Sequence, residues 1–94
     1  MSEQERETIK KLLARALNKN QMLVLSEIHK NCGKSITSIL LSLSRNEELP
    51  LSTLKLNSKV LKELGLVRSD LKKSLPKVSE TGEWVLEIMG GGNP

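Results

Sequence analysis

A chain of 94 residues with no phenylalanine, no tyrosine and a single tryptophan, Trp84, has to build its core from leucine, isoleucine and valine. An aliphatic core of that kind favours packed helices. A chain of this length makes one small domain with one core.

The apolar spacing agrees. Ser2 with Glu5 three residues on is a capping-box pattern. Ile9, Leu12, Leu13, Ala16 and Leu17 then recur on one helical face. Acids lead this first helix (Glu3, Glu5, Glu7) and bases trail it (Lys10, Lys11, Arg15, Lys19), which suits the helix dipole. Asn18 and Asn20 mark a break. A second helix over about 20–31 carries Met22, Leu25, Ile28 and Cys32 on one face, with Gly33 as its terminator. Ser35 caps a third, whose buried stripe is Ile36, Ile39, Leu40 and Leu43 and which fades at Arg45-Asn46. Pro50 suits the first position of a fourth helix, over about 51–64, which Gly65 stops. Leu66 to Arg68 and Leu75 to Val78 read as short strands around the polar tip Ser69 to Ser74, and Pro76 places the second strand at an edge. Ser79 to Gly82 open a last helix through Met89, with Val85, Leu86, Ile88 and Met89 apolar. The expected architecture is mainly α with a small β-hairpin, in the order α-α-α-α-β-β-α. Its parts are an N-terminal amphipathic helix (1–19), a compact unit (20–89) and a flexible Gly-Gly-Gly-Asn-Pro tail (90–94).

Charge is distributed unevenly. The chain carries +4, but Ser52 to Lys77 alone carries +5, from seven bases (Lys55, Lys59, Lys62, Arg68, Lys72, Lys73, Lys77) against Glu63 and Asp70. The rest is close to neutral, so the positive charge is local and points to an anionic partner. The bland reading is a solvated lysine-rich face; the concentration on one helix and one hairpin favours nucleic acid. Elsewhere the chemistry is sparse. One cysteine, Cys32, excludes an internal disulfide and any multi-cysteine metal site, and fits a small buried residue in a reducing compartment. His29 has no second ligand, so no metal and no cofactor is expected. Trp84 reads as a core anchor. Glu47, Glu48 and Glu80 lack a nucleophile or base beside them, and the terminal glycines do not follow a strand, so an enzyme is not expected. No apolar run approaches a membrane span, and the charged start MSEQERETIKK has no signal-peptide core. A cytoplasmic protein is expected.

In order and spacing the segment from about 35 to 89 resembles the winged helix-turn-helix family in its MarR/PadR-like form. Three stretches carry the resemblance: Ser52-Thr53-Leu54 opening a helix that runs into Leu64-Gly65-Leu66-Val67, the basic hairpin Arg68 to Lys77, and the exit Val78-Ser79-Glu80-Thr81-Gly82. The resemblance implies a recognition helix over about 51–64 in the major groove of double-stranded DNA and a wing on the flanking backbone. Ser52, Thr53 and Asn57 would be suited to base edges, and Lys55, Lys59, Lys62 and Arg68 to phosphates. Lys72, Lys73 and Lys77 would be wing contacts.

The chain departs from the family pattern at one point: Ser58 stands where relatives bury an apolar residue, while Leu56 and Val60 are apolar. Two rotations of the helix are therefore open. In the second, Thr53 and Asn57 turn to the core, and Lys55, Ser58 and Lys59 face the groove. An extra first helix in such proteins, often with the last helix, builds a two-fold dimer, here through Ile9, Leu12, Leu13, Ala16 and Leu17, which implies a palindromic site; the plainer alternative is that the helix caps its own core. Small stand-alone winged-helix proteins of this size resemble archaeal and mobile-element regulators, so the resemblance implies a transcriptional regulator associated with the nucleoid. Some such proteins are segregation adaptors that spread on DNA and recruit a second protein. A winged-helix module that docks a protein through Leu56 and Val60 is the reading from another class.

Overall fold

Short polar side chains decide where four of the five helices in the described residues begin. In the computed structural model, which describes residues 2–31, 33–69 and 75–89, α1 spans Glu3–Ala16, α2 Lys19–Lys30, α3 Ile36–Glu47 and α4 Leu51–Glu63. Strands β1 (Val67–Ser69) and β2 (Pro76–Val78) follow, and α5 spans Glu80–Met89. The molecule is thus mainly helical with one small antiparallel hairpin, in the expected order.

Each start has a local cause. The Ser2 hydroxyl oxygen accepts the Glu5 N–H at 3.1 Å, and its hydrogen goes to the Glu5 carboxylate at 3.0 Å. Asn18 breaks the chain by starting a new helix. Its side-chain oxygen accepts the Gln21 N–H at 2.7 Å while the Gln21 side chain accepts the Asn18 N–H at 3.0 Å, a complete capping box. Ser35 caps α3 by accepting the Ser38 N–H at 3.2 Å. Pro50 lies just outside α4 instead of filling its first position. Its ψ of 135° is extended, and its carbonyl accepts the Thr53 and Leu54 N–H groups. Helix α3 runs past Asn46 to Glu47 and stops on Glu48, which is left-handed at φ 53°.

The end of α4 fixes the hairpin. Gly65 is left-handed (φ 78°), its N–H donates to the Lys62 carbonyl, and the Leu66 N–H donates to the Leu61 carbonyl at 3.0 Å. This Schellman closure uses the Leu66 N–H, so β1 starts one residue later than expected, at Val67. The register pairs Val67 with Val78, Arg68 with Lys77 and Ser69 with Pro76. A two-stranded hairpin is marginal by itself. Here both valines are buried, and the strands pack on α2, α4 and α5. Ser79 then ties the last helix down. Its hydroxyl donates to the Gly65 carbonyl at 2.7 Å and accepts the Gly82 N–H at 3.0 Å, and its own N–H donates to the Leu66 carbonyl at 3.0 Å.

The core is aliphatic throughout. Val24 and Leu25 of α2 and Leu54 and Leu61 of α4 are wholly enclosed, joined by Ile28, Ile39, Leu40, Leu43 and Val85. Burying a leucine fully contributes about 1.5–3 kcal/mol. Trp84 is not the expected anchor. The buried face of α5 is Gly82, Val85 and Ile88, and Trp84 stands off that face, 36% exposed. Cys32 and the tail 90–94 lie outside the described residues.

Candidate nucleic-acid interface

Helix α4 meets the core through Leu54, Asn57 and Leu61, and this face fixes its rotation. Of the two seatings open to the sequence, the chain adopts the one that turns Asn57 inward. Asn57 is only 6% exposed, and its amide donates to the Thr53 carbonyl one turn back at 2.9 Å. It is therefore withdrawn from the surface where a base-reading role would need it. Thr53 is half-buried beside it.

The opposite arc is open. Ser52, Lys55, Lys59, Lys62 and Glu63 are exposed, and Leu56 is 62% exposed among them. Ser58 is half-buried at the arc's edge. There it lines a cleft with Lys55, Lys59 and Lys62 on one wall and Ile36, Thr37 and Leu40 of α3 on the other. A second hollow continues the first. It shares Ile36, Ser58 and Lys62 and adds Val67, Ser69 and Pro76 of the hairpin. One concave surface thus joins the first turn of α3, the lysine edge of α4 and the root of the hairpin. The first turn of α3 brings the positive end of its helix dipole to this cleft.

Arg68 and Lys77 are both exposed and paired in register, on the face of the hairpin opposite to Val67, Ser69 and Pro76, which line the hollow. Lys72 and Lys73 fall outside the described residues. Among the described residues the ion pair is Arg6 with Glu87, at 3.9 Å between exposed side chains, which contributes little. Lys55, Lys59, Lys62, Arg68 and Lys77 have no carboxylate partner among those residues.

The apolar stripe of α1 divides. Leu17 is 5% exposed and belongs to the core of its own chain, and Leu13 packs partly against that core. Leu17 is therefore not available to a partner. Leu12 (61% exposed) and Ala16 remain on the outer edge, and Ile9 is half-buried between the two edges.

The sequence reading missed Thr37, which enters the cleft from a neighbouring helix, and the tie made by Ser79. The position of Ser79 ahead of a helix was the one signal for that tie. Among the described residues no group of histidine, cysteine or carboxylate side chains could hold a metal ion, and no helix is long and apolar enough to cross a membrane. No family model, curated protein or solved structure matches this chain.

Proposed function

We propose that the chain is a winged helix-turn-helix protein that binds double-stranded DNA sequence-specifically as a homodimer and regulates transcription. Helix α4 enters the major groove, and the hairpin lies on the flanking backbone as the wing. The observation that carries this reading is the exposed lysine arc of α4, Lys55, Lys59 and Lys62, beside the root of a hairpin whose outer face carries Arg68 and Lys77. A protruding helix edge lined with cations matches a groove edged by phosphates. A helix fits the major groove, and lysines placed along its flank fix its register by phosphate contacts. The outer edge of α1, Leu12 and Ala16, supplies an apolar face for a second copy.

The test is selection from a random duplex pool, read at two salt concentrations. A dimeric groove reader recovers a palindrome with half-sites about one helical turn, roughly 10 bp, apart. With about six to ten phosphate contacts its affinity falls on the order of 10³ to 10⁵ between 50 and 200 mM salt. Lys55→Glu with Lys59→Glu abolishes this binding and leaves the fold intact, because both side chains are exposed. Absence of binding to every duplex would overturn the reading.

A further inference from the structure

A single exposed leucine is ordinary on a protein surface. The position of Leu56 is not. It lies in the second turn of α4, on the open arc, with Ser52 one turn before it and Lys59 one turn after. Residues early in a groove-docked helix are those that reach base edges.

The other groups on that arc narrow what it can read. Guanine is read by arginine or lysine and adenine by asparagine or glutamine, through hydrogen bonds to the base edge. Helix α4 contains neither arginine nor glutamine, and its one asparagine, Asn57, is turned into the core with its amide committed to Thr53. What the arc offers to bases is the Ser52 hydroxyl and the branched methyls of Leu56, 62% exposed, in its first two turns, with the lysine ammonium groups along it and the Glu63 carboxylate at its far end. In the major groove thymine alone presents a methyl group. Removing two apolar groups from water together is favourable and needs no hydrogen-bond geometry.

We propose that Leu56 is a specificity-determining residue that selects thymine by contact with its 5-methyl group. The inference rests on the DNA-binding reading above and adds the base and the residue that chooses it.

Deoxyuridine tests it, because it keeps every hydrogen-bonding group of thymine and lacks only the methyl. Duplexes recovered by the selection are resynthesised with deoxyuridine at each thymine and bound by the full chain, by Leu56→Ala and by Leu56→Met. The expected result has three parts. The recovered half-sites contain a fixed thymine. The parent chain loses about fourfold in affinity for each methyl it contacts, so about an order of magnitude over two half-sites. Leu56→Ala binds both duplexes equally, while Leu56→Met, which keeps an apolar tip, still discriminates. Thermal melting of Leu56→Ala matching the parent shows that the loss is not one of folding. If the parent binds thymine and deoxyuridine duplexes equally, the inference is overturned while the DNA reading stands. If no duplex binds, both fall.

Discussion

Arg68 and Lys77 stand directly opposite each other across the hairpin, both exposed and both positive. Like charges so placed destabilise a strand pair, whereas opposite charges stabilise it by roughly 0.2–1 kcal/mol. The fold has no need of this repulsion; a polyanion lying across the hairpin would relieve it. Arg68→Glu is therefore expected to raise the melting temperature by a few degrees while weakening DNA binding across all sequences. The slope of log affinity against log salt should become shallower by about one. A calorimetric melt and a salt titration check the two halves. Lower stability together with unchanged binding would show that the pair has a packing role instead.

Gly82 is the second point of tension, and it concerns the fold. A Cβ there would run into the Leu66 carbonyl oxygen and come within 2.6 Å of a Val78 methyl. The Leu66 carbonyl is held by the Ser79 N–H, so it has little freedom to yield. Gly82→Ala is expected to cost about 1–3 kcal/mol, as overpacking does. At Gly65 nothing lies within 4 Å of an added Cβ, but φ is 78°. Gly65→Ala should cost roughly 1–2 kcal/mol through backbone conformation alone. Denaturant melts of the two variants distinguish these causes: a second substitution, Val78→Ala, recovers part of the loss at Gly82 and none at Gly65.

Asn57 tests the rotation of α4. Its amide serves its own helix, from a position 6% exposed between Leu54 and Leu61. Leucine has nearly the same shape. Replacing a satisfied buried polar group by an apolar one of that shape is close to neutral or stabilising. Asn57→Leu should keep stability within about 1 kcal/mol and leave both affinity and the selected DNA sequence unchanged. A change in the preferred bases would mean that Asn57 reaches DNA and that α4 sits differently on the complex.

Much of this was legible in the chain because it is local. Caps at Ser2 and Ser35, the stop at Gly65 and the apolar periods fix the helices within a few residues, and the cluster of lysines is visible as a run. The seat of α4 was not. Leu54, Leu56, Val60, Leu61 and Leu64 cover so much of its circumference that periodicity leaves two rotations open. The choice falls to its neighbours, since Leu54 and Leu61 meet the enclosed Val24 and Leu25 of α2 in one core. An asparagine could join that face only because its amide finds a carbonyl one turn back. Trp84 misled for a related reason. It was read as a core anchor, but the buried side of α5 is set by Gly82, Val85 and Ile88.

The first helix separates assembly from folding. Leu17 closes the core at 5% exposure, whereas Leu12, five residues earlier on the same stripe, is 61% exposed. Truncating the first removes packed methyls, so Leu17→Ala should cost about 2–5 kcal/mol whatever the oligomeric state. Placing a charge at the second should leave the protomer folded, because no core contact is lost. In the proposed dimer, however, that charge would lie between two apolar faces. Leu12→Glu is therefore expected to sediment as a monomer with the parent's helical circular dichroism. It should bind an isolated half-site like the parent and lose only the gain that two linked half-sites confer. If Leu12→Glu still sediments as a dimer, the two-fold contact lies elsewhere on the molecule. If it loses its fold, the outer edge of α1 contributes to stability in a way its exposure does not suggest.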